Sequence, residues 1–118
     1  MDPIILRDVG NDWPIAREEV FGPVLVAIPW SNERVVIEQA NAGEYGLAGF
    51  IWCRDLGRAL RSAHALESGW VQINRGGGPQ LEQPFGGMKQ SGLGRENSLG
   101  AAIDAYTEAK AIDVNLMR

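Results

Sequence analysis

The chain has 118 residues, 45% of them hydrophobic and 22% charged, with a formal net charge of −4. That composition describes one folded globular unit and excludes intrinsic disorder. The acidic balance, with no basic stripe, excludes nucleic acid and anionic membrane as partners. A single cysteine, Cys53, rules out an internal disulfide and suits a reducing compartment. The opening MDPIILRDVGNDWP has no basic stretch followed by an apolar run, and no apolar run is long enough to cross a bilayer. A soluble, cytoplasmic chain is therefore expected.

PVLVAIPW (Pro23–Trp30) is a short apolar run after a Phe-Gly-Pro turn and predicts a buried strand. Ser31 can cap a following helix, with Glu33 in its first turn, Val36, Ile37 and Ala40 at helical spacing, and Gly43 as its stop. GLAGFIWC (Gly46–Cys53) predicts the next strand. Asp55 then caps a helix over Leu56–Glu67, where Leu56, Ala59, Leu60, Ala63 and Leu66 form one apolar stripe, and Gly69 closes it. WVQIN (Trp70–Asn74) predicts a third strand. A β-α-β-α-β order at this spacing implies right-handed crossovers and a parallel α/β sheet. A glycine-rich loop of about twenty residues follows, too long to be a mere connector. A short helix near residues 97–106 and a strand near 109–116 end the chain. In that strand Ala111, Asp113 and Asn115 alternate with Ile112, Val114 and Leu116, so it is half-exposed or paired to something outside this unit.

Within the loop, QPFGGMKQSGLGRE (Gln83–Glu96) raises the question of a phosphate cradle, because glycine-freed N–H groups beside cations suit one. The spacing answers against it. In a phosphate loop of the type G-x-x-x-x-G-K-S/T, lysine follows the glycine directly, whereas here Met88 separates Gly87 from Lys89 and Gln90 replaces the hydroxyl residue. The dinucleotide pattern G-x-G-x-x-G accepts Gly92 and Gly94 but meets Asn97 at its third glycine. A tight loop shaped by glycine is the better reading. His64 is the only histidine and cannot build a zinc site alone. Cys53 lies among apolar neighbours in a strand, a setting for a structural thiol rather than a thiolate. Glu18 and Glu19 could accept hydrogen bonds from sugar hydroxyls or simply be solvated. Trp30, Trp52 and Trp70 lie in or beside strands, where packing explains them best.

Four motifs occur in order: EEVFGPV (Glu18–Val24), YGLAG (Tyr45–Gly49), PFGGMKQSGLGRE (Pro84–Glu96) and AYTEAK (Ala105–Lys110). Together they resemble the C-terminal portion of the NAD(P)-dependent aldehyde dehydrogenase superfamily, over essentially the whole chain. The resemblance implies oxidation of an aldehyde to a carboxylic acid by a cysteine thiolate, with hydride transfer to nicotinamide and a glutamate base. It also implies that residues 1–104 form the second half of a catalytic domain and residues 105–118 an oligomerisation strand. Carried over by motif, Glu19 would bind the nicotinamide-ribose hydroxyls and Phe21 would pack beside the nicotinamide ring. Phe85 would line the meeting point of aldehyde tunnel and cofactor, with Arg75–Gln83 at the substrate entrance. Arg95 and Glu108 would join a charge network at the subunit interface of a homo-dimer or homo-tetramer.

Neither the family nucleophile in its G-Q-x-C context nor the general-base glutamate in its E-L-G-G context is present. The resemblance therefore implies NAD or NADP as cofactor, no metal, no catalytic residue in this chain, and no activity by itself. A non-catalytic dimerisation or assembly module and a small nucleotide-binding protein are the alternatives. A partial sheet also predicts exposed hydrophobic edges, with self-association or marginal stability.

Overall fold

A computed structural model describes residues 2–116. Ten short elements follow one another. Strand β1 (Ile4–Arg7) leads through a single helical turn, α1 (Pro14–Arg17), into β2 (Val24–Ala27). The two strands pair in parallel, with Ile4 opposite Val24 and Arg7 opposite Ala27. Helix α2 (Glu33–Asn41) and the two-residue strand β3 (Tyr45–Gly46) precede a second parallel unit. There β4 (Ala48–Ile51) and β5 (Trp70–Ile73) flank helix α3 (Leu56–Ala65), with Ala48 opposite Trp70 and Ile51 opposite Ile73. The glycine-rich loop contains β6 (Met88–Lys89), antiparallel to β3, and α4 (Leu99–Tyr106) follows.

Local chemistry accounts for most boundaries. Asp55 caps α3 through a carboxylate oxygen that accepts from the Arg58 N–H at 3.0 Å. Ser98 caps α4, its hydroxyl oxygen accepting from the Ala101 N–H at 3.2 Å. Helix α2 is capped one residue later than its sequence suggests. Asn32, not Ser31, accepts from the Val35 N–H at 3.2 Å. Helix α3 packs on β4 and β5 with Ala59 fully buried, while Leu56 and Leu60 of its apolar stripe stand exposed.

Two expectations are corrected. The three predicted strands do not form one sheet: the described residues carry three two-stranded sheets, and β2 pairs with β1 rather than with β4 or β5. Strand β1, three apolar residues closed by Arg7, takes up the edge of β2. Nor does a strand form over residues 109–116, where no ladder is present and Ile112, Val114 and Leu116 stand exposed. Alternation places side chains on two faces but supplies no ladder partner.

The interior is correspondingly thin. Only Gly46, Ala59, Gln72 and Gly87 are buried among the described residues. The radius of gyration is 19.6 Å, against about 13.5 Å for a compact domain of this length. Much apolar surface of this chain thus stands exposed, Phe21, Leu81 and Leu93 among it.

Candidate functional site

The glycine-rich loop is held by backbone packed on backbone. A Cβ on Gly69, just before β5, would lie 1.7 Å from the Gly86 carbonyl oxygen, and one on Gly46 would lie 2.2 Å from that of Glu67. Such contacts leave room for glycine alone. The loop is then tied at successive points. Phe85 and Glu96 exchange both backbone hydrogen bonds, at 2.9 and 2.7 Å, and the Gln90 N–H donates to the Glu44 carbonyl at 2.9 Å. The Gly46 N–H donates to the Ser91 hydroxyl oxygen at 2.9 Å.

Lys89 and Arg95, the two cations of Gln83–Glu96, are engaged within the chain. Arg95 donates to the carbonyls of Gly87 and Gly94 at 2.8 and 2.7 Å. Lys89 donates to those of Asn41 and Gly43 at 2.5 and 3.1 Å, and pairs with the Glu67 carboxylate at 2.6 Å. Carbonyls at the end of α2 carry the negative pole of that helix, a favourable place for an ammonium group. The cations that would face a phosphate are therefore used to shape the loop.

Phe85 is half-buried and meets Trp70 edge-on, with ring centroids 5.5 Å apart; Trp70 meets Phe50 in the same way at 5.9 Å. These edge-to-face contacts fix the orientation of the Phe85 ring. Trp70 thus serves packing.

Glu19 and Phe21 come together elsewhere. They line an open cleft of about 670 Å³ with Arg17, Glu18, Ala42, Glu44 and Tyr45. Its walls come from the segment after α1 and from the turn joining α2 to β3. Phe21 is 96% exposed, so its ring stands free to pack against another planar group. Three carboxylates in one cleft favour hydroxyl donors and positive charge and disfavour a phosphate.

Arg95 and Glu108 form no ion pair with each other among the described residues, and Glu108 is exposed beyond α4. Cys53 has its backbone N–H and C=O bound by the amide of Asn74, at 2.8 and 2.7 Å, which pins the end of β4 to the end of β5. His64 is exposed on α3, and no group of residues able to hold a metal occurs among the described residues. No helix is long and apolar enough to cross a membrane among them either.

Between α2 and α3, Glu33 accepts from the Ser62 hydroxyl at 3.0 Å and from Arg58 at 2.8 Å. The Ser62 hydroxyl, with Arg58 and Arg61 nearby, holds its carboxyl below the usual glutamate range despite partial desolvation. Several of these contacts were invisible in the sequence. Asn11, Arg17, Asn41 and Asn74 bond to carbonyls or N–H groups distant in the chain. Their single available signal is a polar side chain beside a helix or strand end.

These features define an α/β protein unit with a thin interior and an acidic, open cleft beside a glycine-clasped loop. The model of the aldehyde dehydrogenase family matches residues 1–112, and the chain belongs to that family. A betaine aldehyde dehydrogenase of Rhizobium leguminosarum bv. trifolii is 47% identical over 116 residues, which cover 98% of this chain and 24% of that protein. An NAD+ complex of an aldehyde dehydrogenase from Bacillus cereus superposes with a TM-score of 0.91 at 42% identity, over 98% of this chain and 23% of the other. An indole-3-acetaldehyde dehydrogenase in complex with NAD+ gives a TM-score of 0.86 at 44% identity, over 92% and 22% of the two chains. The chain thus spans about a quarter of the length of the relatives it matches.

Proposed function

We propose that this chain is the C-terminal part of an NAD(P)-dependent aldehyde dehydrogenase and supplies the nicotinamide-ribose end of its cofactor site. The observation that carries this reading is the cleft, in which Glu19 and Phe21 lie together beside an acidic wall. The Glu19 carboxylate accepts hydrogen bonds from the ribose hydroxyls, and the Phe21 ring packs beside the nicotinamide. Glu18 and Glu44 make the cleft favourable to an oxidised, cationic nicotinamide and keep the pyrophosphate outside it. The bound cofactor supplies a hydride acceptor. Phe85, held by Trp70, lines the approach of the aldehyde, and residues 75–83 border the entrance with no aromatic side chain. The thiolate and the general base come from protein outside these residues. The chain alone is accordingly inactive, since one end of a dinucleotide site gives too little affinity to hold NAD.

Residues 105–118 join a partner subunit in a homo-oligomer, with Arg95 and Glu108 in a charge network at that contact. The exposed Ile112, Val114 and Leu116 favour this placement, and they also favour the second reading, a non-catalytic assembly module. Calorimetry and an aldehyde oxidation assay test the assignment. The 118-residue chain should bind NAD no better than millimolar and oxidise no aldehyde. The full-length polypeptide carrying it should do both, and Glu19→Gln in that polypeptide should raise the KM for NAD. Sub-millimolar NAD or ATP binding by the chain alone would overturn the proposal.

A further inference from the structure

The two walls of the cleft belong to segments far apart in the chain, and the structure shows what joins them. Arg17, in the last turn of α1, donates from Nε to the Asn11 carbonyl at 2.6 Å and from Nη1 to the Ala42 carbonyl. Asn11 in turn donates from Nδ2 to the Gln39 carbonyl at 3.1 Å. Ala42 is the C-cap of α2 and itself lines the cleft. Among the described residues, these are the side-chain bonds linking the Glu19 segment to the end of α2. The carbonyls they use carry the negative pole of α2, so a guanidinium is suited to them by charge as well as by geometry. Glu19 lies two residues beyond Arg17, in exposed backbone outside any helix or strand.

We infer that Arg17 is a positioning residue for Glu19. By gripping Asn11 and Ala42 at once, it sets the separation between the carboxylate wall (Glu18, Glu19, Phe21) and the floor (Ala42, Glu44, Tyr45). This rests on the cofactor reading above. A carboxylate that must meet ribose hydroxyls at hydrogen-bond distance tolerates little displacement, because misplacement by about 1 Å can cost a hundredfold. Lysine keeps the charge at the helix end but offers no planar fork for two carbonyls. The grip is therefore expected to need arginine.

Steady-state kinetics of the full-length polypeptide carrying these residues, with melting curves and peptide-level hydrogen exchange, test the inference. Arg17→Ala should raise the KM for NAD on the order of tenfold, leave the KM for the aldehyde unchanged, and speed exchange over residues 18–24 but not over β5. Arg17→Lys should fall between the two, and remains informative if the alanine variant does not fold. Combined with Glu19→Gln, Arg17→Ala should add little further loss. If Glu19→Gln raises the KM for NAD while neither Arg17 variant does, the positioning role fails and the cofactor reading survives. If Glu19→Gln itself has no effect, the cofactor reading fails and takes the role of Arg17 with it. A rise in both KM values with uniformly faster exchange would reduce Arg17 to a general stabilising residue and overturn the inference.

Discussion

The molecule contains the same motif twice, two parallel strands joined through a helix, and the two copies are finished differently. In β4–α3–β5 the ten-residue α3 lies on both strands, Ala59 is buried beneath it, and Asn74 ties the strand ends together. In β1–α1–β2 the connecting helix is four residues long and buries nothing, and Ile5 and Leu25 are 65% and 59% exposed. Both ladders are complete, with four residue pairs each. A parallel ladder therefore does not make a stable layer by itself; burial of its faces does. The covered unit should behave as the folding anchor of the chain, and the bare unit as a surface awaiting other protein.

The sharpest way to break this contrast is Gly69→Ala, which drives a methyl group into the Gly86 carbonyl and sets the glycine-rich loop against β5. A loss of about 3–5 kcal/mol is expected in chemical denaturation. Gly76→Ala, with nothing within 4 Å, should stay within about 0.5 kcal/mol. Asn74→Ala comes next. It removes both backbone partners of Cys53 and places alanine at a φ of 52°, which should cost about 2 kcal/mol in the same measurement. A smaller effect is expected of Glu33→Gln, read as a difference in melting temperature from wild type across pH. Its carboxyl is depressed in the folded chain, so its contribution is fully present above the ordinary glutamate pKa of about 4.3. It is lost as pH falls through the lower folded value, where the two proteins should melt together. Leu25→Ala in the bare unit should cost the 118-residue chain no more than about 1 kcal/mol. A penalty like that of a core residue would show that β1–β2 is covered in solution and erase the contrast.

How much of this was legible in the sequence follows the same division. The cap at Asp55, the burial of Ala59 on α3 and the packing role of Trp70 could be read because local spacing and local burial agree there, whereas Leu56 and Leu60 of the same stripe stay exposed. Strand β1 and helix α1 could not, since four-residue elements carry too few repeats to show a period. Strand β2 was visible as an apolar run, but its pairing was not, because a run of side chains says nothing about which backbone completes the ladder. Residues 109–116 show that gap from the other side: the alternation is present and the ladder is not. In the cleft, Glu18 and Glu19 look alike by chemistry, and only the motif around them singles out Glu19 for the proposed cofactor contact. Arg17 carried no signal, because its Ala42 partner lies 25 residues away.

The anchoring of the glycine-rich loop has a consequence for how this scaffold can change. Asn74 fixes one end of the stretch, while the Phe85–Glu96 pairing and the Glu82 N–H bond to the Asn97 carbonyl fix the other. Between them, a Cβ on Gly76, Gly77 or Gly78 would meet nothing within 4 Å, although the φ of 111° at Gly77 favours glycine. Residues 75–81 are thus a replaceable cassette. Its length and its side chains, Gly77 apart, can be rewritten while both anchors keep their register, and on the reading proposed above such changes would reshape the substrate entrance.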